Sequence, residues 1–194
     1  MGFKNTFYSS YASGHTRGAA ILIANKVDFG LSKQITDKEG CFVLVRGTLD
    51  SKEVTLLNVY RPPGQDKILI NRIFDLIATE ASGVLICGGD WNVQMHPSLD
   101  SSNPTKKINS ESLYIKKMIK RIGLIDVWRD CHPSARQFTF FSHPHAVYSR
   151  IDYFFVFRAD GHRVLDCSIG VRGVSDHSGV YLRLHLDGQP KNTT

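Results

Sequence analysis

Three short segments carry residue types able to move protons or hold an ion. Gly88-Gly89-Asp90-Trp91-Asn92 follows the apolar run Val84 to Cys87. A carboxylate and an amide two residues apart at a strand end can face one cleft, because every second side chain of an extended segment shares a face. Asp90 there can accept a proton or bind a metal, and Asn92 can donate to a phosphate oxygen; the same letters also spell ordinary turn chemistry. Ser175-Asp176-His177-Ser178 stands just before the last apolar run. At a loop-to-strand junction both side chains can reach a phosphate, the imidazole as donor and the carboxylate through a metal. In Ser149-Arg150-Ile151-Asp152-Tyr153, Asp152 opens an apolar run, an expensive place for a carboxylate without a partner. A histidine is the natural partner: Asp152 accepting from His177 would fix the ring tautomer and raise the basicity of the imidazole.

Strand ends and loops must position these residues. Runs at Ala19 to Ala24, Cys41 to Val45 and Val54 to Tyr60, punctuated by Gly30, Gly40 and the polar stretch Asp50 to Glu53, predict consecutive antiparallel strands. After Arg61-Pro62-Pro63-Gly64, apolar residues at Ile70, Ile73, Phe74 and Ile77 have helical spacing and predict a helix over Ile68 to Thr79. It leads into the short strand Val84 to Cys87. Ser98 to Lys107, rich in Ser, Asn and Pro, reads as a surface loop. Ser110-Glu111 starts a second helix carrying Leu113, Ile115, Met118, Ile119 and Ile122, stopped by Gly123. Phe138 to Ser142, Ile151 to Phe157, Val164 to Ile169 and Val180 to Leu186 predict further strands. Few helices between runs of strands favour two packed sheets with helices outside over an alternating parallel barrel.

The 194 residues are the size of one domain, expected over 1–188 with a disordered tail at 189–194. With 42% hydrophobic and 22% charged residues, the composition is that of a soluble globular protein. A net charge of +6 and a pI near 9.2 suit an anionic partner, because Lys and Arg release counterions from a phosphate backbone; a merely solvated basic surface has the same balance. Cys41, Cys87, Cys131 and Cys167 form no Cys-x-x-Cys pair, so no zinc or redox motif is visible. No apolar run approaches the roughly 18 residues of a membrane span, and no secretory signal opens the chain. An intracellular protein, nuclear or cytoplasmic and away from membranes, is expected.

Six words in order, Gly18-Ala19-Ala20-Ile21-Leu22-Ile23, Asn58-Val59-Tyr60-Arg61-Pro62, Gly89-Asp90-Trp91-Asn92, Thr139-Phe140-Phe141-Ser142, Tyr148-Ser149-Arg150-Ile151-Asp152-Tyr153 and Ser175-Asp176-His177-Ser178, span nearly the whole chain. In them the sequence resembles the endonuclease/exonuclease/phosphatase superfamily, and within it the apurinic-endonuclease-like domain of LINE-type, non-LTR retrotransposons. The resemblance implies an α/β fold of two packed, mostly antiparallel sheets flanked by helices, a DNase I-like four-layer sandwich. It implies a DNA-nicking phosphodiesterase dependent on Mg²⁺ or Mn²⁺. Asp90 would exchange a proton with the attacking water or the leaving oxygen, and Asn92 would position the nucleophile. His177, oriented by Asp152, would stabilise charge on the scissile phosphate, which Tyr60 would also contact. Asp176, with Asp90 and Asn92, would belong to the metal end of the cleft. Thr139 and Ser149 would meet the DNA backbone, and the segment holding His143, His145 and Tyr148, with Arg150 beside it, would form a hairpin probing the DNA groove.

The family pattern also begins with a strand bearing an Asn and a later strand ending in Gln-Glu, whose Glu is the principal metal ligand. Nothing in Met1 to Arg17 matches either, so the sequence reads as N-terminally truncated and missing those strands. Glu39, Glu53, Glu80 and Glu111 lie outside any corresponding motif. An edge so exposed invites pairing with a second copy, as a homodimer, or rearrangement of the N-terminal segment. Two functions stay open: a nuclease holding its ion through Asp90, Asn92, Asp176 and His177, and a catalytically impaired nucleic-acid-binding remnant lacking the metal-binding Glu. A phosphoinositide phosphatase or deadenylase is permitted by the superfamily fold alone, and the LINE-like words argue against it.

Overall fold

A computed structural model describes residues 2–11, 17–64, 67–103, 105 and 107–187. The tail expected at 189–194 lies outside them. The chain forms two compact units, Met1–Asp90 and Trp91–Thr194.

In the first unit, β1 (Phe3–Ser10) and β2 (Gly18–Ala24) make an antiparallel ribbon. β3 (Phe29–Thr36), β4 (Phe42–Leu49), β5 (Lys52–Tyr60) and β6 (Val84–Asp90) lie side by side in that order, antiparallel except for the parallel β5–β6 pair. A two-residue turn joins β4 to β5, with Asp50 and Ser51 both at positive φ, the geometry that matches strand twist. The period of two sorts β4 into two faces. Val43 and Val45 pack with Phe7, Ala19 and Ile23 of the ribbon. Phe42 and Arg46 turn the other way, toward α1 (Lys67–Glu80): the Arg72 guanidinium stands over the Phe42 ring and Arg46 donates to the Glu80 carbonyl. The unit is thus ribbon, sheet and helix in layers. Its β1 occupies a stretch for which the sequence predicts no element, and pairs with β2 along Phe3 to Ser10.

In the second unit, β7 (Leu124–Asp126) pairs antiparallel with β10 (Asp152–Phe157), and β11 (Val164–Ile169) with β12 (Val180–Leu184). Val156 of β10, Val164 and Cys167 of β11, and Trp128 of α4 (Val127–Cys131) share one buried cluster. Again an antiparallel ribbon covers a sheet face. A short hairpin, β8 (Phe140–Ser142) and β9 (Val147–Ser149), precedes β10. The helix α3 (Ser110–Arg121) is capped by Asn109, whose side chain accepts from the Ser112 N–H. This mixed α/β architecture, with sheets packed against ribbons and flanked by helices, is the fold class expected from sequence.

Two expectations are corrected. Residues 98–107 are not simply a surface loop: Pro97–Asp100 forms a helical turn, α2, and Asp100 and Ser101 are fully buried. Asp100 is held there because Arg129, Arg150 and the His96 N–H all donate to its carboxylate. Arg150, expected beside the DNA, is itself completely buried, its guanidinium shared between Asp100 and Asp126 and lying against the Trp128 and Tyr153 rings. Burial alone would lower its pKa, but Tyr153, Asp126 and Asp100 more than offset this and raise it, so the side chain is a charged core node rather than a surface cation. Among the described residues no helix is long and apolar enough to cross a membrane.

Candidate active site

Asp152 is the first residue of β10, and three hydrogen bonds fix the backbone around it. The Thr139 hydroxyl, fully buried, accepts from the Ile151 N–H at 3.1 Å and the Asp152 N–H at 3.2 Å. The Ile151 carbonyl accepts from the Trp91 N–H at 2.9 Å. So anchored, the Asp152 carboxylate meets His177 Nδ1 at 2.9 Å. A carboxylate at that distance makes Nδ1 the protonated nitrogen and gives the reactive role to Nε2. Both side chains are partly accessible, 31% for His177 and 19% for Asp152, as a pair that meets a ligand must be.

Strand β8 holds the other side of the imidazole. The Phe140 ring lies 4.8 Å from the His177 ring, and the two residues form an isolated antiparallel bridge. Phe141 N–H donates to the Asp176 carbonyl and Ser178 N–H to the Thr139 carbonyl, so the Ser175-Asp176-His177 loop is stitched to the hairpin on both sides of the histidine. Asp176 is exposed, its carboxylate 3.3 Å from the Ser175 hydroxyl. Ser149 is buried and meets the Gln94 amide at 2.7 Å. Thr139 and Ser149, expected against DNA phosphates, are therefore placed as supports of the β10 start and the hairpin base. His143, His145 and Tyr148 are exposed on the hairpin, Ala146 closing its turn at φ 50.

Asn92 follows the buried Trp91, whose ring meets Phe155 edge to face at 5.3 Å. It sits half-buried at φ 49, a left-handed conformation that Asn tolerates better than most residues.

In the first unit, Tyr60 and Asp90 end the two parallel strands and are register partners, with the Arg61 N–H donating to the Asp90 carbonyl at 2.8 Å. The carboxyl ends of parallel strands are where α/β sheets hold ligands. Gly-Gly-Asp is strand here, not a turn. Gly89 sits at φ 133, and a Cβ on it would fall 1.9 Å from the Val59 carbonyl oxygen, so only glycine brings β6 this close to β5 and delivers Asp90 at its end.

Sequence reasoning thus finds the Asp152–His177 pair, and misses how it is supported. The Thr139 hydroxyl, the Phe140 ring and the Gln94 amide act through partners more than ten residues away in the chain, a link that no local spacing encodes.

A family model, that of the Endonuclease/Exonuclease/phosphatase family, matches residues 4–177. The Transposon TX1 uncharacterized 149 kDa protein of Xenopus laevis is 30% identical over 139 residues, 68% of this chain; the match covers 10% of that protein's length. Among solved structures, the endonuclease domain of TRAS1, a telomere-specific non-LTR retrotransposon, superposes with a TM-score of 0.71 at 19% identity, covering 93% of this chain and 79% of that one. An AP endonuclease from Archaeoglobus fulgidus gives 0.61 at 20% identity, over 82% of this chain and 70% of that one.

Proposed function

This chain belongs to the endonuclease/exonuclease/phosphatase family, and from that premise we propose that it is a divalent-metal-dependent DNA endonuclease that nicks one strand, of the LINE retrotransposon type. The observation that carries the reading is the Asp152–His177 hydrogen bond, built on a stitched loop that leaves the imidazole accessible. Phosphodiester hydrolysis requires placed donors for the charge that grows on the phosphoryl oxygens. His177 Nε2 donates to such an oxygen while Asp152 holds the ring and stabilises its positive charge. Asp90 takes the proton of the attacking water, Asn92 orients that water, and Tyr60, the register partner of Asp90, contacts the phosphate.

Asp90, Asn92 and Asp176 offer oxygen donors only, which fits a hard cation such as Mg²⁺ or Mn²⁺ better than zinc. When bound, such an ion neutralises phosphoryl charge. His143, His145 and Tyr148 on the hairpin are proposed to touch the DNA groove, and Thr139 and Ser149 to reach the backbone only after local rearrangement, since both are buried here.

The test is nicking of supercoiled plasmid with Mg²⁺, Mn²⁺ or EDTA. Cleavage should require the ion and fall by about 10²–10³ in His177→Ala, the loss typical of one transition-state donor, and by about 10²–10⁴ in Asp90→Ala, the loss typical of a general base. DNA binding by folded protein without cleavage above the two variants would replace the nuclease with a binding remnant. Self-association through a strand edge is a separate proposal, read by sedimentation as a species of twice 21.8 kDa.

A further inference from the structure

A cleft of about 1110 Å³ opens between α2, α3, β7 and α4, wholly within the second unit. It is larger than the roughly 300–1,000 Å³ of most small-molecule sites. None of its lining residues is one that the nuclease reading uses.

Helical spacing sorts α3 into two faces. Ser112, Ile115 and Met118 are buried. Leu113, Lys116, Lys117 and Lys120, at i, i+3, i+4 and i+7, share a second face and line the cleft. Met95 and Leu124, both buried, and the half-buried Leu99 extend its apolar surface, while Leu113 is left 54% exposed. The charge around this surface is one-sided. Lys117, Lys120 and Arg158 are exposed and make no ion pair among the described residues. Asp126 on the same wall is already bound to Arg150, which leaves Asp130 alone against them. The Arg129 side chain, nine-tenths buried, also lines the cleft. Its Nη groups donate to Asp100 and to the Ala135 carbonyl, but its Nε–H is buried without an acceptor. A buried donor in that state is uncommon, and a guest that brings an acceptor would complete it.

We propose that this cleft is a docking groove for an acidic amphipathic helix of a partner protein, with the helix's apolar face on Leu113, Leu99 and Met95 and its carboxylates on Lys117, Lys120 and Arg158. The length suits such a guest: Leu113 to Gly123 of the groove wall spans about 15 Å at 1.5 Å per residue, or about three helical turns. Helices that dock in grooves supply apolar anchors at the same three- and four-residue spacing. Nucleic acid fits less well, because its phosphates lie outermost and would meet the lysines while the apolar surface stayed uncovered. A second copy of this chain, itself at +6, would add positive charge to positive.

The probe is a fluorescein-labelled peptide of three Asp-Glu-Leu-Leu repeats, which as a helix gathers its leucines on one face and its acids on the other. Titrated with the whole chain in EDTA and read by anisotropy, it should bind saturably, one peptide per chain. Lys117→Glu/Lys120→Glu should raise Kd by about tenfold or more, because it sets like charges against each other. Both positions are exposed, so the urea unfolding midpoint should stay at the wild-type value. A peptide with serine in place of leucine should bind at least about tenfold more weakly to the wild-type chain, since it has no apolar face to bury. No saturable binding, or equal binding by the serine peptide, overturns the groove. Stoichiometric displacement of the peptide by a short DNA duplex would make nucleic acid the occupant and overturns it too. Each of these outcomes is read without cleavage, so it leaves the nuclease reading to its own test.

Discussion

A carboxylate bonded to an imidazole fixes its tautomer and stabilises its charged form, and the two effects separate by substitution. Asp152→Asn keeps the size of the side chain and loses the charge. It should lower kcat for nicking by about 10²–10⁴ with KM little changed, since the effect is confined to the transition state; a KM rise of the same size would instead place Asp152 in DNA binding. Arg150 belongs to a different class of residue. Arg150→Met leaves the buried carboxylate of Asp100 and that of Asp126 without their shared cation, and should destabilise the fold by roughly 3–5 kcal/mol in urea unfolding. Its burial was not legible in Ser149-Arg150-Ile151-Asp152: a charged residue before a strand reads as surface, and the acids that draw Arg150 inward lie 50 and 24 positions away. Asp152 was legible because a carboxylate opening an apolar strand demands a partner, and His177 was the candidate at hand.

At the scale of elements, apolar periodicity marks the helices that bury one face. The spacing in Ile70, Ile73, Phe74 and Ile77 marks α1, and all four are buried. β1 and β3 escaped because both are polar: β3 is exposed at six of its eight positions, and Lys, Ser and Gln along it carry no alternating signal. What reveals such strands is the register of their neighbours, a tertiary fact. Gly89 was visible only as one letter of a motif, yet it sets the spacing of β5 and β6. Gly89→Ala should cost roughly 1–3 kcal/mol of stability and weaken nicking, because its Cβ collides with Val59 and pushes Asp90 off its register with Tyr60. His96, at the start of α2, offers a pH test of the elements around it. Burial, and then the Lys116 ammonium of α3 that donates toward its Nδ1, lower its pKa from the ordinary 6.5. The folded state therefore resists taking a proton that the unfolded chain accepts: this contribution to stability is fully present above pH 6.5 and is lost as the pH falls below it, toward the lowered folded value. Unfolding midpoints followed from neutral to mildly acid pH should fall more in the wild-type chain than in His96→Gln; equal slopes would assign the acid sensitivity to other groups.

For the whole molecule, the net charge of +6 was legible from composition, but composition cannot say whether the cations are gathered along a path or dispersed. The structure already removes several from the account. Arg150 is buried between two acids, Arg129 is tied to Asp100, and Lys33 and Arg46 both meet Glu80. The cations left for DNA are fewer than the 24 Lys and Arg of the chain, and the salt dependence of binding counts them. For a duplex, log K falls against log salt with a slope of about −0.9 for each phosphate neutralised, so four to six contacts give about −4 to −5. Anisotropy titrations of a short duplex between about 50 and 200 mM salt read this slope directly. A slope in that range would mean that the unpaired cations form one continuous footprint of the kind a nicking enzyme needs to hold its substrate. A slope near −1 would mean that the positive charge only keeps the chain in solution, and it would weaken the nuclease reading before any cleavage were measured.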